Sequence, residues 1–139
     1  MKIYIFGNGN ISFSDFEKYY AQILNQYIDN EEVTFLLGDF RGADTLAMEF
    51  LKCRATKVCV YHVGTKPRYL PDKYKTKVGS WLILGGFEND EQRDLEAIKN
   101  CSHFIAIDFN SDAKRKSGTL KNIESCQALG KIWLTNEIA

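Results

Sequence analysis

The residues best suited to hold a charged ligand follow an apolar run that ends at Leu37. There the chain supplies two glycines, an arginine and two aspartates before a helical pattern of apolar residues begins. A strand, a tight turn and a helix N-terminus together expose backbone N–H groups that bind phosphate or carboxylate. The residues predicted to contact a ligand in this turn are Gly38, Asp39, Arg41, Gly42, Ala43 and Asp44.

Two side chains of this turn have alternative roles. The guanidinium of Arg41 is a planar fork that fits a phosphate or a carboxylate, and the alternative is an ion pair with Asp39 or Asp44. Asp44 is either the N-terminal cap of the helix that follows or a group that orients Arg41 or a ribose hydroxyl. The sequence leaves these alternatives open.

A second turn of the same kind precedes the last helical pattern, at Ser117, Gly118 and Thr119. Ser117 is a favoured helix cap, and the N–H groups that follow a cap also bind anions. Two anion-binding turns in one small domain predict a nucleotide-like ligand.

Four further residues are predicted to face the same ligand. Asp108 follows an apolar run at the carboxyl end of a strand, where ligands bind in open α/β sheets. Gly7 and Asn8 stand in the turn after the first apolar run, which lacks the complete G-x-G-x-x-G pattern. Arg93 lies on a predicted helix, where it either faces the ligand or forms a surface ion pair.

These turns must be positioned by an alternation of strands and helices. Short continuous apolar runs predict buried strands, and apolar residues at helical spacing predict the helices that cover them. The predicted strands cover residues 3–6, 33–37, 57–63, 104–107 and 132–134. The predicted helices start at a capping box at 14–17, at residue 43, at a cap at 89 or 90, and at residue 117, the last ending at Gly130.

The alternation predicts one three-layer α/β domain over residues 1–139, with a Rossmann-like parallel sheet of five strands. Right-handed crossovers favour the strand order 3-2-1-4-5. The ligand would then lie in the crevice between the first and fourth strands, which the three turns face.

The segment 64–88 departs from this alternation. Two prolines interrupt any helix there, and a long loop in a small domain is usually functional. We expect it to act as a lid or a subunit contact, with aromatic side chains that either stack on a base or anchor the loop to the core. Its basic and aromatic residues are Lys66, Arg68, Lys73, Lys75, Lys77, Tyr69, Tyr74 and Trp81.

Composition narrows the partners. Lys plus Arg is 18 and Asp plus Glu is 18, so the net charge is zero and nucleic acid is predicted to be an unlikely partner. Four cysteines without a CxxC pair and only two histidines predict no metal site, and no cofactor is predicted. The chain has no signal peptide pattern and no long apolar run, which predicts a cytoplasmic protein without a membrane partner.

The run from Gly38 to Ala47, Gly-Asp-Phe-Arg-Gly-Ala-Asp-Thr-Leu-Ala, resembles the Gly-Gly-x-Arg-Gly-Ala-Asp-x-Leu-Ala signature of the YspA-like branch of the SLOG superfamily. The runs at 92–94, 104–106, 117–119 and 128–131 are similar to that branch as well. The second half is also similar to nucleoside 2-deoxyribosyltransferases and to Lonely-guy phosphoribohydrolases. The resemblance implies a Rossmann-like domain that binds nucleotides or nucleotide-derived ligands and forms homo-oligomers.

Two positions depart from these families. The phosphoribohydrolases and deoxyribosyltransferases are similar in placing a catalytic glutamate soon after the Gly-Thr pair, where this chain has Asn122. An amide is neither a nucleophile nor a proton acceptor of the carboxylate kind. Asp39 replaces the second glycine of the SLOG signature and adds negative charge beside the proposed anion site.

The leading interpretation is therefore binding of a nucleotide or nucleotide-derived small molecule, for sensing, sequestration or processing. One alternative is an enzyme that cleaves or exchanges an N-glycosidic bond, with no catalytic residue assigned. Another is single-stranded DNA binding, as in the DprA relatives of the superfamily, which the basic aromatic loop permits. The candidate carboxylates of the enzyme alternative are Asp39, Asp44, Asp108 and Glu124.

Overall fold

The computed structural model describes residues 1–71 and 78–136, which form a parallel sheet of six strands and the helices that pack on it. The strand order is β4-β3-β2-β1-β5-β6. The five predicted strands occur in the predicted order, and β4 extends the sheet beyond β3, so the predicted strand count was one too low. The strands are β1 Lys2–Ile5, β2 Thr34–Leu37, β3 Val58–Val63, β4 Leu82–Phe87, β5 His103–Ile105 and β6 Ile132–Trp133.

The added strand β4 lies within the segment that was predicted to be a long loop. It pairs with β3 in parallel register from Cys59 opposite Leu82 onward. Most of its side chains are exposed, and Gly85 and Gly86 interrupt its apolar pattern. Its apolar run, Trp81 to Leu84, is therefore short and follows a segment with two prolines, so it was not predicted as a strand.

Within residues 1–71 and 78–136, four helical segments connect the strands. The first is continuous from residue 13 to residue 24, with a π-helical stretch, Phe16–Ala21, between two α-helical turns. Ser12 caps it through a hydrogen bond of 3.0 Å from the Asp15 N–H, so the predicted capping box beginning at Ser14 was wrong. The α-helices are α1 Phe13–Asp15, α2 Gln22–Leu24, α3 Ala43–Leu51, α4 Asp90–Asn100 and α5 Gly118–Ala128.

The alternation of side chains along β1 divides the core between the two faces of the sheet. Ile3 and Ile5 pack in one cluster with the π-helical stretch and α3, whereas Tyr4 and Phe6 pack in a second cluster with α4 and α5. Both faces of the central strands are therefore buried, as expected for a parallel sheet between two helical layers.

Parts of the segment 64–88 are anchored to the core. Tyr69 packs against the first core cluster, and the buried Trp81 donates its indole N–H to the Ala55 carbonyl at 3.0 Å. Trp81 thus anchors the segment, which is one of its two predicted roles. Four of its basic and aromatic residues, Lys73, Tyr74, Lys75 and Lys77, lie outside the described residues.

A membrane-spanning helix is not found in residues 1–71 and 78–136, because no helix there is both long and apolar enough.

Candidate functional site

A crevice of about 450 Å³ opens beyond the carboxyl ends of β1 and β5, where the strand order reverses. Loops after β1, β2 and β5 and the starts of α4 and α5 contribute to its lining. Ligands of open α/β sheets bind at this switch point, and the volume is in the range of small-molecule sites.

The Tyr20 side chain separates the two strands at the base of the crevice. Its hydroxyl donates a hydrogen bond of 2.9 Å to the Phe6 carbonyl and accepts one of 3.0 Å from the Ile107 N–H. The hydroxyl lies against Gly7, and a Cβ at that position would overlap it. Packing therefore requires a glycine at residue 7. The crevice begins where the Tyr20 hydroxyl takes the place of direct backbone hydrogen bonds between the chain after β1 and the chain after β5.

Asn8 connects the loop after β1 to the loop after β5. The side-chain NH₂ of Asn8 donates to Asp108 Oδ1 at 3.0 Å and to Thr119 Oγ1 at 3.3 Å. Its side-chain oxygen accepts a hydrogen bond of 2.7 Å from the Phe109 N–H. Ser117 Oγ also donates to Asp108 Oδ1, at 2.7 Å. Burial alone would raise the pKa of Asp108, but these hydrogen bonds outweigh it and lower that pKa.

The turn at Ser117 starts α5 as predicted. Ser117 Oγ accepts a hydrogen bond of 3.0 Å from the Leu120 N–H and so caps the helix. The backbone N–H groups of Gly118 and Thr119 have no hydrogen-bond acceptor within residues 1–71 and 78–136. Both residues line the crevice, so this turn offers two N–H donors to an anion.

Asp39 anchors the turn after β2 rather than lining the crevice. Its buried carboxylate receives the Arg68 side chain on both oxygens, at 2.8 and 3.1 Å, and Arg93 at 2.9 Å. Burial alone would raise its pKa, but the hydrogen bonds from Arg68 and Arg93 lower it. Two guanidiniums thus compensate the negative charge that Asp39 adds to the family signature.

Arg93 is buried at the wall of the crevice, where carboxylates engage it. Its guanidinium donates to Asp39 at 2.9 Å and to Asp94 at 2.8 and 3.1 Å, and it forms an ion pair with Asp90 at 2.8 Å. Burial would lower the pKa of Arg93, but Asp94 and Asp44 raise it above its ordinary value. Arg93 therefore organises the wall and has few N–H groups left for a ligand.

Asp94 lines the crevice and was absent from the predicted site residues. Its Oδ1 accepts a hydrogen bond of 3.1 Å from the Tyr4 hydroxyl, and its Oδ2 accepts one of 2.9 Å from the Asn122 amide. Burial raises the pKa of Tyr4 well above its usual value, so the phenol stays neutral and donates. A glutamate in place of Asn122 would bring a second carboxylate against Asp94.

The turn from Gly38 to Asp44 is built around Asp44. Its Oδ2 accepts a hydrogen bond of 3.0 Å from the Phe40 N–H, and a Cβ on Gly38 would lie 2.7 Å from this oxygen. Asp44 does not cap α3, which was one of its two alternative roles: the residue at the cap position is Gly42, which has a φ of 78°. Gly42 and Ala43 lie against the backbone carbonyl of Asn8 and support the loop after β1.

Two arginines at the rim of the crevice are not engaged by acids. Arg41 is exposed and lies over the Phe40 ring, with 5.2 Å from its guanidinium carbon to the ring centroid. Arg115 is exposed in the loop before α5. Neither has an ion pair in the described parts of the chain, so the alternative of a pair between Arg41 and Asp39 or Asp44 is not observed.

The structure brings together most of the predicted site residues. Gly7, Asn8, Arg41, Asp44, Arg93, Ser117, Gly118 and Thr119 line the crevice, while Gly38, Asp39, Gly42, Ala43 and Asp108 lie outside its lining. Of the candidate carboxylates, only Asp44 lines the crevice, and Glu124 instead pairs with Lys116 at 3.0 Å. Lining residues that were not predicted to contact a ligand include Tyr4, Asp94, Asn110, Arg115 and Asn122.

The missed residues carried weak sequence signals. Asp94 directly follows Arg93, and its sequence signal was its place in the run 92–94, which resembles the YspA-like branch. Tyr4 lies inside a buried strand. A metal centre is not indicated either, because within residues 1–71 and 78–136 no group of three or more His, Cys, Asp or Glu side chains is placed to hold an ion.

No family model and no curated protein matches this sequence. Among solved structures, DNA processing protein A from Helicobacter pylori, described with a single-stranded DNA binding mode, is similar with a TM-score of 0.66 and 17% identity. The match covers 96% of this chain and 63% of that one, so this chain spans less than two thirds of the length of that protein. At this identity the likeness establishes a shared fold.

The prediction that nucleic acid is an unlikely partner was wrong. It rested on the zero net charge, yet a structure with this fold belongs to a protein that binds single-stranded DNA. A global balance of charge says nothing about a local site. Here acids pair with Arg93 inside the crevice wall, whereas Arg41 and Arg115 at the rim have no ion pair among the residues that the structure describes.

Proposed function

We propose that the crevice binds one nucleotide unit, with its phosphate at the start of α5 and the side chains of Arg41 and Arg115 beside it. The observation that carries the proposal is that these two lining guanidiniums have no ion pair within residues 1–71 and 78–136. Guanidiniums bind phosphate oxygens in a fork geometry, and the N–H groups of Gly118 and Thr119 add two donors.

The rest of the lining suits the remainder of a nucleotide. Asparagine amides offer both donors and acceptors, and the volume of about 450 Å³ suits one nucleotide unit better than several. We assign the domain to the SLOG-type nucleotide-binding domains on the likeness of the run from Gly38 to Ala47, and we expect homo-oligomers on the same basis. The asparagines of the lining are Asn8, Asn10, Asn110 and Asn122.

The nucleotide unit has two possible sources, a free nucleotide and a single strand of DNA. The similarity to DNA processing protein A supports the strand. The volume of the crevice suits one unit at a time, so the phosphate of that unit would lie beside the exposed arginines at the rim while the rest of the strand continues outside the crevice. Both sources present the same phosphate and sugar chemistry to the crevice.

A second candidate is cleavage of the N-glycosidic bond of a nucleotide in the same crevice. The observation that favours it is the position of Asp94, whose carboxylate lines the crevice and is oriented by Tyr4, Arg93 and Asn122. A carboxylate held in this way is suited to stabilise a developing positive charge on the sugar. Asp94→Asn would remove base release but preserve binding.

One panel separates these possibilities. The purified protein is mixed with nucleoside 5′-monophosphates, with the parent nucleosides and with a fluorescein-labelled oligodeoxythymidylate of about 20 residues. Thermal shift and released base are followed for the small molecules, and anisotropy for the strand. We expect monophosphates to raise the melting temperature and nucleosides to leave it nearly unchanged, because the phosphate supplies most of the contacts.

The strand arm decides the source. If the protein raises the anisotropy of the labelled oligonucleotide and an added monophosphate lowers it again, the strand and the free nucleotide bind in the same crevice. A strand that binds without competition indicates another surface and contradicts the proposal for DNA. The absence of a thermal shift with every monophosphate, together with unchanged anisotropy, contradicts the proposal as a whole.

A further inference from the structure

Three carboxylates share two guanidiniums on one side of the crevice, and a fourth carboxyl group lies beside them. Asp39 pairs with Arg68 at 2.8 Å and with Arg93 at 2.9 Å. Asp90 pairs with the same two arginines, at 2.6 and 2.8 Å, and Asp94 pairs with Arg93 at 2.8 Å. Three carboxylates are therefore already paired with the only two guanidiniums of this cluster in the described part of the chain.

The fourth acid is Asp44, which has no ion pair in the described parts of the chain. The residue is 6% exposed, its Oδ2 accepts one hydrogen bond from the Phe40 N–H, and it lines the crevice. The titratable groups that face it are Arg93 and Asp94 from α4, Asp39 from the loop after β2, Tyr4 from β1 and Tyr20 from the π-helical stretch.

This environment favours the neutral form of the Asp44 carboxyl. Burial is the main cause, and Asp94 and Asp39 act in the same direction, while Arg93 and the Phe40 N–H oppose them. The pKa of Asp44 is thereby raised to about 7. A neutral carboxyl donates a hydrogen bond, which a carboxylate does not.

We propose that Asp44 contacts the bound nucleotide as a carboxylic acid, donating its O–H to an oxygen of the ligand, so that binding is coupled to uptake of a proton. This inference rests on the proposed function, because it assumes an anionic ligand in the crevice. An ionised Asp44 would repel that anion inside a wall that already holds three other acids. By linkage, an anion beside Asp44 holds the proton more firmly, and the proton strengthens binding of the anion by the same factor.

The coupling has a measurable size. If only the protonated form of Asp44 binds, the association constant falls about tenfold for each pH unit above the pKa. Between pH 7 and pH 9 this amounts to about fiftyfold. The range avoids the second ionisation of the phosphate itself, which occurs near pH 6.

Isothermal titration with thymidine 5′-monophosphate at pH 7, 8 and 9 measures this dependence. Repeating the pH 8 titration in buffers of different ionisation enthalpy gives the number of protons taken up, which we expect to be about 0.9. The variant Asp44→Asn keeps the size of the side chain and supplies an N–H donor that does not titrate. We expect it to bind with an affinity that changes less than about threefold over the same range.

Asp29→Asn is the matched control, since Asp29 is exposed and lines a different cavity at the opposite end of the strands. We expect it to keep the pH dependence of the unchanged protein. Equal affinity of the unchanged protein at pH 7 and pH 9, or the same dependence in Asp44→Asn, overturns the inference and leaves the proposed function standing.

A second measurement does not depend on a ligand. The carbon-13 resonance of the Asp44 carboxyl, assigned by its loss in Asp44→Asn, reports its ionisation in the free protein. A midpoint between about pH 6 and pH 8 supports the inference, and a midpoint below pH 5 overturns it whatever binds. If neither thymidine 5′-monophosphate nor the oligonucleotide binds at pH 6, the proposed function fails and this inference fails with it.

Discussion

At the scale of single residues, the pair of Asp94 and Asn122 gives the crevice its chemical character. The Asn122 amide on α5 donates to the carboxylate of Asp94 on α4, so these two side chains join the two helices at the crevice wall. A carboxylate at residue 122 would lack this donor and would lie against Asp94.

The variant Asn122→Asp tests this pairing. It removes the donor to Asp94 Oδ2 and opposes two carboxylates, so we expect the free energy of unfolding at pH 7.5 to fall by about 1–3 kcal/mol. The loss should shrink below about pH 5, because one acid of such a pair then holds a proton. Urea denaturation at both pH values measures it.

Asn25→Asp is the control for this substitution, because Asn25 is exposed at the end of α2. We expect the control to change the free energy of unfolding by less than about 0.5 kcal/mol. Equal effects of the two substitutions would show that Asn122 does not support Asp94.

At the scale of elements, the π-helical stretch Phe16–Ala21 opens the crevice by placing Tyr20 between β1 and β5. The sequence predicted a helix here from apolar spacing, but not its π-helical register or the hydrogen bonds of the hydroxyl. The hydrogen bonds of the Tyr20 hydroxyl depend on Ile107, which lies 87 positions later in the chain. Such a contact leaves no local pattern in the sequence.

A double-mutant cycle on Gly7 and Tyr20 tests this element. Tyr20→Phe leaves the buried Ile107 N–H without its acceptor, and we expect it to lower the free energy of unfolding by about 1–3 kcal/mol. Gly7→Ala should cost more in the unchanged protein than in the Tyr20→Phe background, because the hydroxyl that the new methyl overlaps is then absent. Strictly additive losses would contradict the proposed contact.

The loop after β2 is tied to the segment 64–71 and to α4 through Asp39. Arg68 meets Asp39 from 29 positions away, and the sequence assigned Arg68 only to a basic loop. Because the pKa of Asp39 is lowered in the folded protein, its stabilisation is complete above the unfolded-state value near pH 4. It is lost as the pH falls through the lowered folded-state value.

The variant Asp39→Asn follows from this linkage. We expect it to lower the free energy of unfolding by about 3–5 kcal/mol at pH 7, because Arg93 then lies buried with one acceptor fewer. The difference from the unchanged protein should narrow below pH 4. Asp29→Asn, at an exposed position, is expected to be neutral at both pH values, and an equal effect of the two variants would contradict the role of Asp39.

At the scale of the whole molecule, the alternation of apolar runs was sufficient to predict the parallel sheet and its order. Buried parallel strands leave continuous apolar runs, and the crossover rule then orders them. The edge strand β4 was missed because its short apolar run, Trp81 to Leu84, ends at Gly85 and Gly86 and follows a segment with two prolines, which predicted a loop. Fold and crevice position were therefore predictable, whereas the pairing of acids with arginines inside the wall was not, since it joins residues from distant segments.

Net charge was the least informative property of the molecule. Acids pair with Arg93 within the crevice wall, so a net charge of zero is compatible with two guanidiniums at the rim that have no ion pair in the described part of the chain. If a strand binds there, we expect its affinity to fall with salt concentration in proportion to the phosphates contacted. Anisotropy titrations at several salt concentrations measure that slope, and a slope near zero would contradict phosphate contacts at the rim.

The most direct test of the account is the affinity of thymidine 5′-monophosphate and of the oligodeoxythymidylate for Arg41→Ala and Arg115→Ala, measured beside Arg54→Ala. Arg54 is an exposed arginine that lines a different cavity, so all three variants lose one positive charge. We predict that each rim variant weakens binding about tenfold or more, as expected for a lost charged hydrogen bond. We predict that Arg54→Ala binds both probes like the unchanged protein. Equal affinities in all three variants, or equal losses in all three, would contradict a phosphate site at the rim of the crevice.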